Sequence, residues 1–292
     1  MLRIALPNKG RLAEDTRDLF NDAGLDVRSS GDRALTASLG GEFEAIFVRA
    51  QDIPEFVADG AADAGVTGWD LVQESERPLA SHLDLGFGKC RVVVAARDDA
   101  GITSVDEIGS DRSPARVATV FPRITARFFA ERGRRVEIVP VSGAAEIAPH
   151  LGIADIVVDL TSTGSTLRVN GLREIETVMQ SSAHLIAAEG GPRKGDVARR
   201  REFDELVTSL DSVIRARGQR YLMANVPTSV LDEVRTVLPG LNGPTIIEIA
   251  DHGKFVAVHA VVRADAIYRT IAQLRALGAE GILVTRIERL VP

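Results

Sequence analysis

The run Thr161–Thr166, with the sequence Thr-Ser-Thr-Gly-Ser-Thr, has the residue types best suited to binding a phosphate. It follows the apolar stretch Ile156–Leu160, which predicts a buried strand, and Leu167 and Arg168 after it indicate the start of a helix. Backbone amides and hydroxyls at a helix N-terminus can surround an oxyanion, and Gly164 lets the backbone approach a ligand closely. We therefore predict a phosphate-binding loop between this strand and this helix.

Two aspartates bracket the predicted strand, Asp155 before it and Asp159 near its carboxyl end. Carboxylates beside a phosphate cradle can hold a magnesium ion or ribose hydroxyls, so a phosphorylated sugar is a suitable ligand. The alternative is a Ser/Thr-rich turn in which Thr163 merely caps the helix. The loop has neither the Gly-Lys-Ser/Thr of a P-loop nor the GxGxxG of a dinucleotide site. It resembles instead the pattern with which phosphoribosyltransferases bind phosphoribosyl pyrophosphate (PRPP).

Length and composition restrict the possible number of domains and the possible classes of partner. A chain of 292 residues predicts two domains or one large one, and a net charge of −6 argues against general nucleic-acid binding. The lone cysteine, Cys90, excludes an internal disulfide, and the five histidines lack metal-ligand spacing. We find neither a signal peptide nor an apolar run approaching the roughly 20 residues that span a membrane. The composition predicts a cytoplasmic protein that does not bind a membrane.

The N-terminal residues predict cationic strand ends. The strand Leu2–Leu6 leads through a turn into a helix, and this turn carries Lys9 and Arg11. A second predicted strand, Phe43–Arg49, ends in the cation Arg49. Turns at strand ends are where α/β proteins collect anionic ligands, although ordinary surface cations would have the same pattern.

A further strand-to-helix junction contains potential ligand-binding groups. Ala64–Thr67 predicts a brief buried strand, and Gly68 opens a helix whose first turn carries Trp69 and Asp70. Such a junction resembles those that face the cleft in two-lobed solute-binding proteins. The alternatives are that Trp69 anchors packing and that Asp70 complements the helix dipole.

The order of predicted elements divides the chain into three parts. Two similar apolar strands, Cys90–Ala96 and Ala183–Ala188, enclose a second α/β unit, so we interpret them as crossings between two lobes. Residues 1–90 and 185–217 then form one lobe, and residues 91–184 form the other. Residues 218–292 have the order βαββαβ, which predicts a ferredoxin-like domain.

Several independent motifs, in the same order, resemble the long form of the ATP phosphoribosyltransferase family, which catalyses the first step of histidine biosynthesis. The matching segments are Leu6–Leu12, Gly65–Asp70, Leu85–Gly88, Ser142–Glu146, Asp155–Leu172, Tyr221–Met223 and Gly243–Ile246. The resemblance implies an α/β, two-lobed catalytic core like type II periplasmic binding proteins, followed by a ferredoxin-like (ACT-like) regulatory domain. It also implies transfer of the 5-phosphoribosyl group from PRPP to N1 of ATP with Mg²⁺, and feedback inhibition by histidine. Such a protein is expected to be a homo-oligomer (dimer and hexamer) without a separate regulatory subunit.

The resemblance assigns roles to residues of both lobes. Glu146 and Asp159 match acids near the ribose and the Mg²⁺ ion, which has no site built by the protein alone. The PRPP-binding positions are Asp155, Asp159, Thr161, Ser162, Thr163, Gly164, Ser165 and Thr166. The positions on the ATP or pyrophosphate side are Lys9, Arg11, Arg49, Thr67, Gly68 and Asp70. The positions matching the histidine pocket are Asn225, Leu241, Gly243, Thr245 and Gly281, where Asn225 replaces an aspartate that can occur in the family.

Two other functions have partial support. Thr125–Phe129 resembles the Thr-Arg-Phe motif of prephenate dehydratase, but Ala126 interrupts the motif. A non-catalytic solute-binding or sensor module would explain a cleft, but it would not explain a PRPP-type loop. The loop therefore favours the transferase.

Overall fold

The computed structural model describes most of the chain, in two compact units formed by residues 1–207 and 208–292. The described ranges are residues 1–29, 34–109, 113–192, 196–250 and 253–291. Within these ranges no helix combines the length and the apolar character needed to cross a membrane.

The first unit is a mixed α/β structure. Its described strands are β1 (Arg3–Pro7), β2 (Val27–Ser29), β3 (Thr36–Leu39), β4 (Phe43–Val48), β5 (Ala64–Gly68), β6 (Leu79–Asp84), β7 (Cys90–Arg97), β8 (Ala115–Thr119), β9 (Val136–Pro140), β10 (Ile156–Thr161), β11 (Leu172–Ser181) and β12 (Ala183–Ala188). Its described helices are α1 (Arg11–Asp22), α2 (Ile53–Ala58), α3 (Trp69–Ser75), α4 (Pro122–Glu131), α5 (Ser165–Val169) and α6 (Val197–Ala216), the last of which continues into the second unit.

The strands form two sheets that share one topology. The first sheet has the order β2-β3-β4-β1-β5-β12-β6, and the second has the order β11-β7-β10-β8-β9. In each, three parallel strands lie in the order second, first, third, and an antiparallel strand follows, β12 in the first sheet and β7 in the second. The chain crosses from the first sheet to the second between β6 and β7, and it returns between β11 and β12. This confirms the two-lobed core of the type II solute-binding kind.

Apolar residues cover both faces of the central strands. Ile4 and Leu6 of β1 are buried, as are Leu19 and Phe20 of α1. In the second sheet, the residues of β7 from 92 to 96 are fully buried, and Phe129 of α4 is likewise buried in this lobe's core. A sheet covered on both faces requires such continuous apolar strands, whereas its strand ends stay free for polar groups.

The second unit has a ferredoxin-like fold. Its elements are β13 (Gln219–Pro227), α7 (Leu231–Val237), β14 (Thr245–Glu248), β15 (Phe255–Arg263), α8 (Ile267–Ala276) and β16 (Glu280–Arg286). The sheet order is β14-β15-β13-β16, and every pair is antiparallel. Alternate residues of β13 and β15 are buried, with Leu274 of α8 in the same apolar cluster. The predicted βαββαβ order is confirmed.

Candidate functional site

The predicted phosphate loop lies at the carboxyl end of β10 and is shaped by its own hydroxyls. Thr161 is buried, and its Oγ1 accepts a hydrogen bond from Gly164 N at 2.9 Å. Gly164 occupies the N-cap position of α5 with φ 73°, a conformation that favours glycine. Arg168 donates to the carbonyl oxygen of Thr163 at 3.3 Å. The side chains that remain exposed are those of Ser162, Thr163, Ser165 and Thr166.

Glu146 and Asp159 lie close enough for their charges to interact. Burial raises the pKa of Asp159 above its ordinary value, and the charge of Glu146 raises it further, although the Leu160 amide opposes both effects. Glu146 belongs to a short helical turn that Ala144 opens with φ 50°, a left-handed conformation rare for alanine. Two neighbouring acids, one of them largely buried, suit a divalent cation or ribose hydroxyls.

Asp155 lies at the opposite end of the same strand. It lies six positions before Thr161, which corresponds to about 20 Å along an extended strand. Its carboxylate accepts hydrogen bonds from Arg116 N at 2.8 Å and from Arg116 Nη2 at 2.9 Å. These bonds from Arg116 lower the pKa of Asp155, although partial burial opposes the effect. The geometry therefore brings Asp159, but not Asp155, to the phosphate loop.

A cleft of ≈ 650 Å³ lies where the chain crosses between the sheets. Trp69 contributes to it from the first sheet's side, and Ser162 contributes from the phosphate loop. The full lining is Trp69, Asp84, Lys89, Cys90, Arg91, Ser162, Gln180, Ser181, Ser182 and His184. The loop and the Gly68–Asp70 junction, predicted separately from the sequence, therefore border one cavity.

Asp70 is a buried acid directly behind this cavity, where it is hydrogen-bonded to the lining residue Ser181. It is 5% exposed, and burial raises its pKa, although the hydrogen bond from Ser181 lowers it. Burial also raises the pKa of Cys90 to about 11, with a smaller contribution from the charge of Asp70. A side chain at Gly68 would collide with the Asp70 carboxylate, which explains the glycine. Asp70 is thus held by the protein's own groups.

The cations predicted on the ATP or pyrophosphate side follow the carboxyl ends of two neighbouring strands of the first sheet, β1 and β4. Pro7 of β1 pairs with Val48 of β4, so the residues that follow these two strands emerge side by side. These residues are Lys9, Arg11 and Arg49, and all three are exposed. The charge of Arg11 slightly opposes the rise in the pKa of Cys90 that burial causes, so Arg11 lies near enough to the cleft to act on this lining residue. Thr67 instead faces inward, where its Oγ1 donates to the carbonyl oxygen of Ala50 at 2.7 Å.

The cleft wall also carries a polar network that the sequence did not predict. Ser182 Oγ donates to Asp84 Oδ1 at 2.8 Å and lies 3.0 Å from His184 Nε2. Ser81 Oγ lies 2.6 Å from His184 Nδ1, and the ring of Trp69 stacks on that imidazole at 5.2 Å. The antiparallel pairing of β6 with β12 assembles these residues, so no local motif could have identified them.

Opposing effects set the charges in this network. Burial lowers the pKa of His184, against the charge of Asp84. Burial favours a higher pKa for Asp84, but the Gly86 amide, the Ser182 hydroxyl and the nearby cations outweigh it and lower that pKa. Asp84 is therefore an anion at neutral pH, whereas His184 favours its neutral form.

The motif resembling prephenate dehydratase has a packing role. Thr125, Phe128 and Phe129 of α4 are all buried. Thr125 Oγ1 donates to Thr119 Oγ1 at 3.2 Å, and the two phenylalanines belong to the core of the second sheet's lobe. These side chains do not border the cleft lined by Trp69 and Ser162, among the residues that the structure describes.

The residues predicted to bind histidine fall into two groups of the second unit. A Cβ added at Gly281 would lie 3.4 Å from Asn225 Nδ2, so these two residues are neighbours. Thr245 begins β14, which β15 separates from β13, and Gly243 with φ 99° lies just before it. Leu241 is 59% exposed. Two strand spacings, about 10 Å, therefore separate the group at Thr245 from Asn225.

Comparisons with known proteins cover the chain from end to end. A family model described as ATP phosphoribosyltransferase matches residues 49–212, and one described as HisG, C-terminal domain matches residues 216–289. An ATP phosphoribosyltransferase of Gemmatimonas aurantiaca is 80% identical over 292 residues, covering 100% of both chains. One of Methanococcoides burtonii is 46% identical, also covering 100% of both. A chain of the ATP phosphoribosyl transferase (HisG:HisZ) complex from Thermotoga maritima aligns with TM-score 0.63 and 27% identity, covering 74% of this chain and 99% of that one.

Proposed function

The chain belongs to the ATP phosphoribosyltransferase family, and on this premise we propose that it transfers the 5-phosphoribosyl group of PRPP to N1 of ATP. The products are N1-(5-phosphoribosyl)-ATP and pyrophosphate, in the first step of histidine biosynthesis. The observation that carries this proposal is the cleft bordered by both Ser162 of the phosphate loop and Trp69 of the opposite wall. A transferase of this type must hold two phosphorylated substrates face to face.

In the proposed reaction, the bond from the PRPP anomeric carbon to pyrophosphate breaks and a bond to adenine N1 forms. Pyrophosphate leaves with the bonding electron pair, and the alkylated adenine later loses its N6 proton to solvent. The transition state has oxocarbenium character, so the protein contributes positioning and charge stabilisation.

The phosphate loop would hold the 5-phosphate of PRPP. Its exposed hydroxyls at Thr163, Ser165 and Thr166 and its backbone amides are the donors available at the end of β10. The internal bond from Gly164 N to Thr161 Oγ1 shapes the loop before a ligand arrives, which lowers the entropic cost of binding. We leave Asp155 out of this site because Arg116 binds its carboxylate at the far end of the strand.

Glu146 and Asp159 would hold the ribose hydroxyls and, with the substrate, Mg²⁺. The acids fit a cation because burial, and to a smaller extent the charge of Glu146, raises the pKa of Asp159, and a bound divalent ion would stabilise both carboxylates. Bound Mg²⁺ supplies charge neutralisation to the departing pyrophosphate. Lys9, Arg11 and Arg49, which emerge at one edge of the first sheet, would bind the phosphates on the other side of the cleft.

We further propose that histidine inhibits the enzyme through residues 218–292, and that the protein is a cytoplasmic homo-oligomer without a separate regulatory subunit. The lobes of the core would be residues 1–90 with 185–217, and residues 91–184. The ferredoxin-like fold of the second unit, a common host of small-molecule sites, supports the regulatory assignment by analogy.

The test is a direct assay with purified protein, Mg²⁺, ATP and PRPP. Both the absorbance of the adduct and the release of pyrophosphate should rise together, and chelation of Mg²⁺ should stop both. Pyrophosphate release without the adduct would indicate hydrolysis of PRPP, and the absence of both products would overturn the proposal.

A further inference from the structure

Helix α4 of the second lobe receives its N-terminal cap from the first lobe. Glu74 of α3 accepts hydrogen bonds from Arg123 N at 2.9 Å and from Ile124 N at 3.0 Å, one on each carboxylate oxygen. Pro122 precedes them at the first helical position and has no amide hydrogen. The carboxylate thus satisfies the free amides of the first turn and lies at the positive end of the helix dipole.

The same contact caps α3 in return. The Arg123 guanidinium donates from Nη1 to the carbonyl oxygens of Glu74 at 3.1 Å and of Ser75 at 2.8 Å. These carbonyls belong to the last turn of α3, where helical acceptors lack partners within the helix. Helix α3 ends at Ser75, and the φ of 56° at Glu76 turns the chain away and leaves those carbonyls accessible to Arg123. Each helix therefore satisfies the other's free backbone groups.

The opposite end of α3 is attached at the crossing between the sheets. Trp69 N donates to the carbonyl oxygen of Ser182 at 2.9 Å, and Asp70 N donates to Ser181 Oγ at 2.9 Å. A helix of this length spans about 10 Å. The first turn of α3 therefore holds Trp69 against Ser181 and Ser182, where the chain crosses between the sheets. Its last turn contacts α4 of the other lobe.

We infer that Glu74 and Arg123 are positioning residues, which hold the two lobes at the separation where Trp69 faces the phosphate loop. Both contacts form only when α3 and α4 are end to end, so a change in the angle between the lobes would break them together. Glu74 and Arg123 are not among the residues that line the cleft in the described part of the chain. They would act on the substrates only through the arrangement of the lobes.

The test compares Glu74→Gln and Arg123→Ala with the parent chain. Spin labels on cysteines introduced at Asp18 of α1 and Glu137 of β9, both exposed, report the distance between the lobes. The native Cys90, with a pKa of about 11, is little ionised at neutral pH and labels slowly. The distance distribution should broaden in both variants. Loss of a helix cap should shift the equilibrium between the observed and other lobe arrangements by about twofold to thirtyfold. Because fewer molecules would then be competent to bind, KM for ATP and for PRPP should rise together within that range at unchanged kcat.

Glu176→Gln is the matched control, because Arg132 of α4 donates to Glu176 of β11 at 2.6 Å within a single lobe. It should lower the melting temperature by no more than the two lobe variants do, and it should change neither the distance distribution nor KM. Unchanged distances in Glu74→Gln would overturn the inference. Broadened distances with unchanged KM values would overturn the link to substrate binding. The kinetic part rests on the proposed function, whereas the distance measurement does not, so the two failures are distinguishable.

Discussion

Asp70 and Ser181, which are 111 positions apart in the sequence, share two hydrogen bonds beside the cleft. Ser181 Oγ donates to Asp70 Oδ1 at 2.5 Å and accepts from Asp70 N at 2.9 Å. Asp70 lies in the first turn of α3, which belongs to the first lobe, and Ser181 ends β11 of the second sheet. This pair therefore joins the first turn of α3 to the end of β11, just before the chain returns to the first sheet.

Replacement of Ser181 by alanine should make stability depend more strongly on pH. Burial raises the pKa of Asp70 above its ordinary value of 3.8, and loss of the Ser181 hydroxyl, which lowers that pKa, should raise it further. A carboxyl whose folded-state pKa is raised costs stability as pH rises from its unfolded pKa through the folded one. The deficit of Ser181→Ala should therefore have a constant part, from the Asp70 amide that loses its acceptor, and should grow by about 1.5–3 kcal/mol between about pH 4 and neutral pH.

Urea unfolding across a pH series measures this deficit. Ser212→Ala is the control, because Ser212 is also buried but donates to a neutral acceptor, the carbonyl oxygen of Ser209, at 2.7 Å. Its deficit should not vary with pH. An equal deficit of Ser181→Ala at every pH would show that Ser181 does not stabilise the charged carboxylate of Asp70.

Neutralisation of the acidic pair should lower turnover without lowering stability. Asp159→Asn removes a carboxylate whose pKa is raised by burial and by Glu146, so the variant should be at least as stable as the parent at neutral pH. Glu146→Gln should behave similarly because it removes the same repulsion. If these acids hold the ribose and Mg²⁺, turnover should fall by about tenfold or more while ATP affinity changes little.

Paired measurements of turnover and melting temperature separate the roles of the acids. Asp155→Asn is the control, since Asp155 is ion-paired with Arg116 at the far end of the same strand. Because that pair is substantially exposed, the control should change stability by only about 0–1 kcal/mol and leave turnover unchanged. Normal turnover with reduced stability in Asp159→Asn would assign the acid a structural role instead.

Substitutions in the phosphate loop should weaken PRPP binding. Thr161→Val removes the oxygen that accepts from Gly164 N, and Thr163→Val removes an exposed hydroxyl that can donate to the phosphate. Gly164→Val adds strain at φ 73° and places a side chain against Arg168. Each lost hydrogen bond to a charged phosphate should lower affinity by about tenfold to a hundredfold in calorimetry. Thr161→Ser, which keeps the hydroxyl, should bind PRPP as the parent does. If the valine variants bound PRPP as tightly as the parent does, the phosphate of PRPP would bind outside this loop.

Histidine should bind the second unit and inhibit transfer. Thr245→Leu places a bulky apolar group at the start of β14 without altering the catalytic residues, so it should abolish inhibition at unchanged uninhibited activity. The allosteric coupling should be about 1–3 kcal/mol, which corresponds to roughly 5- to 150-fold, and PRPP should loosen histidine by the same factor. Leu283→Ala, also on an exposed position of this sheet, serves as the control. Equal inhibition of Thr245→Leu and the parent would place the histidine pocket elsewhere.

Local order along the chain was sufficient to predict the strand, turn and helix around Thr161–Thr166, and the folds of the two-lobed core and the second unit. The loop lies within consecutive residues, and an apolar strand followed by small hydroxylated residues has few alternative structures. The strands Cys90–Ala96 and Ala183–Ala188 were interpreted as crossings because they are alike and enclose a second α/β unit, and in the structure each directly follows a crossing between the sheets. The βαββαβ order followed from the same periodicities in residues 218–292.

Contacts between distant residues were decided by the tertiary structure. Asp155 and Asp159 are four positions apart in sequence, but they lie at opposite ends of the extended strand β10. Arg116 binds the carboxylate of Asp155, whereas burial and the charge of Glu146 raise the pKa of Asp159. The bond between Ser182 and Asp84 depends on strand pairing across 98 positions. The Glu74 cap on α4 joins different lobes. Periodicity identifies which residues face a core, but the charge and the partner of each polar group depend on which strand ends and helix ends the packed sheets bring together.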